Sequence, residues 1–246
     1  MSHFTAGPPE AILWEFLSYP LFTADGVLMR FADLPGAIYK KGKGYMQGFV
    51  YIPGTRTDAA TLIAHADTVF DFAGEHKMIC EDGMIRSTQD GVGIGADDRA
   101  GCALLWLLKD SGHNILVMDG EERGQRGSHY LAEEYPDILK ELQNSSFMVQ
   151  LDRRNARDYK CYNIPVTEEF RQYIENETNY VDAGKSSRTD ICVLCTEGCC
   201  GVNFSIGYYN EHTPDEYINV EEWIHTYNTV SKMLAKPLTR YSLLKA

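Results

Sequence analysis

Histidine and carboxylate side chains recur in the sequence in short groups that could bind divalent metal ions. The groups are His65-Ala-Asp67, Asp97-Asp98, Glu121-Glu122, Asp152 and His212. Imidazole nitrogens and carboxylate oxygens together form a ligand set that zinc, manganese or cobalt prefers. One carboxylate can bridge two such ions, so that each ion has protein ligands of its own and both share a water molecule. The residue types therefore indicate a divalent metal centre.

The glycine-rich stretch over residues 91–101, GVGIGADDRAG, also fits a different chemistry. Gly91, Gly93 and Ala96 match the G-x-G-x-x-A pattern of a dinucleotide-binding turn. Such a turn needs a strand that runs directly into its first glycine, but residues 86–90 are RSTQD. No strand-ending acid follows at the distance of a ribose contact, because Asp110 closes a helix instead. The stretch favours a metal site, in which the glycines let the backbone turn into Asp97, over a nucleotide-dependent oxidoreductase.

The elements that must position these residues are apolar strands, predicted over residues 61–64, 114–118, 146–151 and 202–207. Each strand is followed by His65, by Glu121 and Glu122, by Asp152 or by His212. In open α/β sheets, the carboxyl ends of the strands form the edge at which ligands bind. We therefore expect these residues and Asp67 to surround one crevice. Asp97 lies at the start of a buried helix that is predicted over residues 99–109. The helix dipole favours a carboxylate at this end.

Helical patterns alternate with the strands, over residues 11–17, 99–109, 127–135, 136–142, 167–176 and from Asn219 onward. At the last of these, Asn219 and Glu222 predict a capping box. The alternation predicts an α/β fold with a mixed, mostly parallel central sheet and helices on both faces, in three layers. Residues 37–52 predict a hairpin, and ICVLC at residues 191–195 predicts a buried strand. No repeat or linker divides the sequence, so residues 1–246 are expected to form one domain.

Composition restricts the partners and the compartment. The 246 residues carry a formal net charge of −12, which disfavours nucleic acids and anionic membranes as partners. Seven cysteines without a regular framework predict reduced thiols and a cytoplasmic protein. The group from Cys192 to Cys200 has the wrong spacing for a zinc knuckle and is expected to be structural. The first residues, MSHFTAGPPEAILWEF, lack a signal-peptide pattern, and no apolar run approaches the roughly 20 residues of a membrane span.

Taken together, five motifs resemble those of the di-zinc exopeptidase superfamily, which includes bacterial leucyl aminopeptidases, tripeptidase T and the carboxypeptidase G-type enzymes. The motifs are HADTV, GADDRAG, GEERGQRGS, LD and EH, in this order from about residue 60 to 215. The resemblance implies two divalent metal ions per chain, with zinc expected and cobalt or manganese as alternatives. It implies that His65 and Asp152 bind one ion, that Glu122 and His212 bind the other, and that Asp97 bridges them. It further implies that Asp67 orients His65, that Glu121 is the general base and that the Asp97–Asp98 peptide is cis.

Many members of the superfamily carry an inserted lid domain between the metal-binding aspartate and the last histidine. Only 60 residues separate Asp152 from His212, so the sequence predicts a catalytic domain without a lid. Substrate contacts are expected from Arg188 and Asp190, from Tyr208 and Tyr209, and from Glu211. Glu211 or Asp215 could anchor a free amine.

The leading functional hypothesis is a metal-dependent aminopeptidase that acts on short peptides, with a metal-activated water and Glu121 as base. A deacylase of N-acyl amino acids would use the same metal site with an apolar pocket. A non-catalytic relative is disfavoured, because no residue of the implied set is missing. Each residue alone has an ordinary structural explanation, such as an Asp152 ion pair with Arg153, but all of them at strand ends are harder to explain in this way. A homo-oligomer is compatible with the sequence.

Overall fold

The computed structural model describes residues 8–74 and 76–244. Its helices are α1 (Pro8–Leu17), α2 (Asp25–Ala32), α3 (Ala96–Leu108), α4 (Arg126–Glu134), α5 (Pro136–Gln143), α6 (Glu168–Thr178), α7 (Asp190–Leu194) and α8 (Val220–Leu234). Its strands are β1 (Ile38–Lys41), β2 (Gly48–Ile52), β3 (Thr61–His65), β4 (Met78–Glu81), β5 (Met84–Ser87), β6 (Asn114–Met118), β7 (Met148–Arg153), β8 (Asp158–Lys160), β9 (Val181–Asp182), β10 (Gly201–Ser205), β11 (Tyr208–Tyr209) and β12 (Tyr217–Asn219). The expectation about a signal peptide depends partly on residues 1–7, which lie outside the described residues.

The large sheet has the strand order β1-β2-β6-β3-β7-β10-β8-β9. Its centre is parallel, because β3 pairs in parallel with β6 and β7, and β10 pairs in parallel with β7. The β1–β2 hairpin adds two antiparallel strands at one side, and β8 is antiparallel to β10 at the other. The predicted mixed, mostly parallel sheet is confirmed. All four predicted site-bearing strands therefore end at the same edge.

Helices cover both faces of this sheet. The connection from β3 to β6 and the connection from β6 to β7 cross the sheet in opposite directions, so right-handed crossovers place α3 on one face and α4 with α5 on the other. On the second face, the Phe49 ring packs against Tyr130 of α4, and the Tyr51 hydroxyl donates to Glu141 of α5. Strands β3, β6 and β10 are buried at every position, as their continuous apolar runs predict.

Helix α2 and strands β8 and β9 were not predicted, and three further features differ from the sequence-based expectations. A second sheet, with the order β11-β12-β5-β4, was not predicted, because its two- to four-residue strands have few buried positions and little periodic signal. The prediction of a strand for the segment ICVLC is wrong. The segment forms most of α7, and the Cys195 N–H donates to the Ile191 carbonyl. A short apolar run that is buried on all sides does not distinguish a strand from a helix.

The third difference concerns the start of α8. Asn219 caps the helix as predicted, because its side chain accepts a hydrogen bond from the Glu222 N–H at 3.2 Å. The second half of the capping box is absent, since the Glu222 carboxylate accepts instead from the Tyr209 hydroxyl at 2.7 Å.

All seven cysteines are free thiols. Within the described ranges, no helix has the length and apolar character required to cross a membrane.

Candidate metal centre

A cleft at the carboxyl edge of the large sheet contains the predicted metal-binding residues. Its volume is about 250 Å³, and its lining includes Asp97, Glu122, Asp152 and His212. His65 lies beneath the cleft with 1% of its surface exposed, at the end of β3. Residues far apart in the sequence are thus brought together by the strand ends, as expected.

Asp97 lies between the two histidines. Its Oδ1 is 3.2 Å from Nε2 of His65, and its Oδ2 is 3.1 Å from Nε2 of His212. Burial alone would raise the pKa of Asp97, but the hydrogen bonds to His212 and His65 hold it below its usual value. The two oxygens of one carboxylate therefore face two separate imidazoles, which is the arrangement that a bridging ligand requires. The peptide bond between Asp97 and Asp98 is cis.

Each imidazole also lies next to a second carboxylate. Nε2 of His65 is 3.5 Å from Oδ1 of Asp152, and Nε2 of His212 is 2.8 Å from Oε1 of Glu122. Burial would lower the pKa of His65, yet the carboxylates around it raise it well above its usual value. Hydrogen bonds to Asp97 and Glu122 raise the pKa of His212 to about 11. Both imidazoles are thus in environments that favour a positive charge at Nε2.

The distances between the candidate ligand atoms are compatible with metal binding. Two ligand atoms that are each about 2.0–2.1 Å from a tetrahedral zinc ion lie about 3.3 Å from one another. The nitrogen–oxygen distances around His65 are 3.2 and 3.5 Å, and those around His212 are 3.1 and 2.8 Å. His65, Asp97 and Glu122 form one group that could hold a metal ion, and His65, Asp98 and Asp152 form another. The residues therefore fit metal ions in both donor chemistry and spacing.

Asp98 has a different environment from Asp97, although it belongs to one of these groups. Its Oδ2 accepts a hydrogen bond from the His65 backbone N–H at 3.1 Å, and its Oδ1 accepts from the Gly101 N–H at 3.0 Å. Both oxygens are occupied by backbone donors, and the residue is fully buried. Asp98 fixes the end of β3 against the start of α3, whereas the carboxylate of Asp97 faces the imidazoles.

Asp67 joins two parts of the centre. Its Oδ1 is 3.4 Å from Nδ1 of His65, and its carboxylate accepts hydrogen bonds from the backbone N–H groups of Gly120, Glu121 and Glu122 at 2.8 to 3.1 Å. Burial alone would raise the pKa of Asp67, but His65 and these N–H groups keep it below its usual value. One carboxylate therefore contacts the His65 ring and fixes the turn that carries both glutamates.

Glu121 lines the cleft beside the predicted metal-binding residues. Its neighbour Glu122 contacts His212, whereas its own carboxylate accepts a hydrogen bond from Gln125 Nε2 at 3.2 Å and contacts neither histidine. The two glutamates lie in a 3-10 helix that covers Glu121–Arg123, where neighbouring side chains diverge. Burial is the main reason that the pKa of Glu121 is raised to about 9. This carboxyl group is placed to exchange a proton with a molecule in the cleft.

The expected substrate contacts divide into two groups. Arg188, Tyr208 and Glu211 line the cleft, and the Tyr208 hydroxyl donates to Asp152 Oδ1 at 3.3 Å. Asp190 does not reach the cleft, because it is fully buried and accepts a hydrogen bond from the Ser128 hydroxyl. Tyr209 is turned away, since neighbouring strand residues face opposite sides, and it stacks on Tyr217. Asp215 is exposed and lies outside the lining of the cleft.

The sequence analysis did not identify several residues of the site. Arg153, Arg154, Lys160 and Tyr162 line the cleft, and Thr189 and Gln150 donate to Asp152 Oδ2 at 2.9 Å each. Arg153 and Arg154 directly follow the predicted ligand Asp152, which is a signal that could have marked them. Lys160 belongs to a three-residue strand with no recognisable pattern.

Glu216 supports the loop that precedes Asp97. It is buried, and its two oxygens accept hydrogen bonds from the backbone N–H groups of Gly95 at 2.6 Å and Asp97 at 3.0 Å. We expect Glu216→Gln to lower the free energy of unfolding by about 1–3 kcal/mol, because the new NH₂ group faces a buried N–H donor. Urea denaturation measures this change. Exposed Glu221→Gln is the control, and equal midpoints for the two variants would contradict the assigned support.

The fold and this site define a class of protein: an α/β chain with candidate metal ligands at the carboxyl ends of parallel strands. Residues 49–234 match the family model of Peptidase family M28, and the chain belongs to that family. It is therefore a metal-dependent peptidase. A comparison with curated proteins gave no match.

Solved peptidase structures share the fold. The aminopeptidase PepT from Bacillus cereus ATCC 10987 is 16% identical, with a TM-score of 0.69 over 92% of this chain and 98% of that one. A tripeptidase from Staphylococcus aureus subsp. aureus Mu50 is 14% identical, with a TM-score of 0.66 over 92% and 97% of the two chains. The TET1 peptidase from Pyrococcus horikoshii is 11% identical, with a TM-score of 0.58 over 92% and 99%, and it can assemble into a tetrahedron or a large octahedral shell.

Proposed function

We propose that the protein is a di-zinc aminopeptidase that hydrolyses short peptides, in a catalytic domain without an inserted lid. The position of Asp97 carries this proposal, because its two oxygens lie 3.2 and 3.1 Å from the Nε2 atoms of two histidines. His65 and Asp152 would hold one ion, Glu122 and His212 would hold the other, and Asp97 would bridge them. When bound, the ions supply Lewis acidity and lower the pKa of water from 15.7 to about 7.

Glu121 would act as the general base. Positive metal ions beside Glu121 would lower its pKa from the value of about 9, so that its carboxylate would take a proton from the attacking water and deliver it to the leaving amine. It is free for this role because its neighbour Glu122 contacts His212 while Glu121 does not. Asp67 would keep both glutamates in place through the three backbone N–H groups that it accepts.

The polar character of the cleft supports a peptide with a free amine over an N-acyl substrate. Charged and hydroxyl side chains make up most of the lining, and Glu211 offers a carboxylate beside His212. An apolar acyl chain would find few apolar contacts in this cleft. A panel of free and N-acetylated dipeptides would separate the two activities, and faster cleavage of the acetylated set would favour the deacylase.

Metal content tests the centre directly. We expect close to two zinc, cobalt or manganese ions per chain, measured by mass spectrometry on protein purified without chelators. Chelation should abolish peptide hydrolysis, and added zinc should restore it. A protein that binds no metal even after soaking with zinc would contradict the proposed function.

Cell compartment and assembly are further parts of the proposal. The seven free thiols support a reducing compartment such as the cytoplasm. A homo-oligomer is compatible with the assembly of the TET1 peptidase. Sedimentation of the purified chain measures the oligomeric state.

A further inference from the structure

One side of the cleft is basic. The cations on its lining are Arg153, Arg154, Lys160 and Arg188. Arg153 Nε is 2.6 Å from Asp158 Oδ1, and Arg154 Nη1 is 2.6 Å from Glu211 Oε1, so both guanidinium groups have protein counter-charges. The other two cations differ in this respect.

Lys160 is a buried ammonium group without a carboxylate partner. Only 6% of its surface is exposed, and Nζ donates to the carbonyl and the hydroxyl oxygens of Ser186 at 3.0 and 3.1 Å. In the described part of the chain, no carboxylate forms an ion pair with it. Burial lowers the pKa of Lys160, and the positive charges of Arg153 and Arg154 lower it further. A buried charge is costly unless an opposite charge compensates it, and here Asp158 and Asp182 act on Lys160 only from beyond ion-pair distance.

Arg188 is the second cation of the cleft lining that has no ion pair with a carboxylate among residues 8–74 and 76–244. It lies on the same loop as Ser186, two residues further along the chain. Lys160 therefore holds the loop that carries Arg188, and both side chains line the cleft. Two unpaired cations at one wall form a site for an anionic group of a bound molecule.

We propose that Lys160 and Arg188 bind a carboxylate on the leaving-group side of the peptide substrate. This inference rests on the proposed aminopeptidase function. A peptide that is cleaved next to its free amine keeps its C-terminal carboxylate on the leaving group. An acidic side chain of the second residue would offer the same chemistry. With its volume of about 250 Å³, the cleft suits a short peptide, whose carboxylate lies within a residue or two of the cleaved bond.

Paired substrates test this recognition on the zinc-loaded full chain. We expect Leu-Gly to be hydrolysed with a kcat/KM about 10- to 100-fold above that of Leu-Gly amide, the factor that a charge-assisted hydrogen bond provides. Comparing Leu-Glu amide with Leu-Gln amide tests whether the carboxylate that binds belongs to an acidic side chain of the second residue. A preference in the first pair assigns the C-terminal carboxylate, and a preference in the second pair assigns the side chain.

Variants connect the preference to the two cations. Lys160→Met and Arg188→Met should each reduce the acid-to-amide ratio toward one, and Lys160→Arg should restore part of it. Lys185→Met is the matched control, because Lys185 is an exposed lysine on the same loop and does not line the cleft. A Lys160→Met variant that loses activity equally on all four peptides would overturn the proposal, since Lys160 would then only support the loop.

Binding separates this proposal from the proposed function. Calorimetry on zinc-loaded Glu121→Gln measures affinity for Leu-Gly and Leu-Gly amide without turnover. Tighter binding of the acid supports the carboxylate site even if no peptide is cleaved. Equal ratios in both substrate pairs, or equal affinities for acid and amide, would overturn the site and leave the peptidase function intact.

Discussion

Glu121→Gln is expected to lower kcat/KM for peptide hydrolysis by about 100- to 10,000-fold, the range that a general base contributes. The substitution keeps the shape of the side chain and still allows its contact with Gln125, but the amide does not accept a proton at neutral pH. Because the Glu121 side chain contacts neither histidine, the metal content should remain that of the unmodified protein. Initial rates and mass spectrometry on the same preparation give both quantities.

The adjacent glutamate provides the contrast. Oε1 of Glu122 is 2.8 Å from Nε2 of His212, so Glu122→Gln should lower the metal content together with the activity. Exposed Glu133→Gln on α4 should change neither quantity. Full activity of Glu121→Gln would exclude it as the base, and loss of metal in that variant would show that the two glutamates share the ligand role.

The strand-end pattern explains why so much of the centre could be predicted from sequence. A continuous apolar run followed at once by His65 or Asp152 specifies both a buried parallel strand and the edge to which it leads. Parallel pairing then brings these ends together, whatever their separation in the chain. This reasoning needs only the order of the strands and the hand of their crossovers.

The contacts of residues that are positioned by irregular backbone could not be predicted in this way. Asp67 was expected to orient His65, but its three hydrogen bonds to backbone N–H groups depend on the conformation of the turn over residues 120–122. Asp190 was expected in the cleft, yet it begins α7 and turns inward to Ser128. Tyr208 and Tyr209 are strand neighbours, so only one of them could face the cleft.

Lys160 shows a further limit of prediction from the sequence. Its strand β8 has three residues, and its importance depends on which charges surround it rather than on its own sequence context. A lysine in the sequence predicts an exposed ammonium group, whereas this one is 6% exposed beside two arginines. Only the folded structure shows whether a charged side chain in a cleft lacks a counter-charge.

Asp97→Asn is expected to remove the metal centre, because a single side-chain amide offers one good ligand oxygen where the carboxylate offers two. The amide NH₂ group would face the Nε2 atom of either His65 or His212, at the distances of 3.2 and 3.1 Å that separate the carboxylate from them. We expect the zinc content to fall by at least one ion per chain. Peptide hydrolysis should fall by on the order of 1,000-fold, which corresponds to the several kcal/mol of charge stabilisation that metal ions supply.

The response of stability to zinc distinguishes ligand loss from damage to the fold. A ligand at 100 times its Kd stabilises a protein by about 2.7 kcal/mol, so zinc should raise the Tm of the unmodified chain and should raise that of Asp97→Asn much less. Asp98→Asn is the matched comparison, because Asp98 accepts hydrogen bonds from the backbone N–H groups of His65 and Gly101. That variant should lose about 1–3 kcal/mol of stability without zinc and still respond to zinc. If the responses were reversed, Asp98 would be the metal ligand, and the bridge between the two histidines would have to be reassigned.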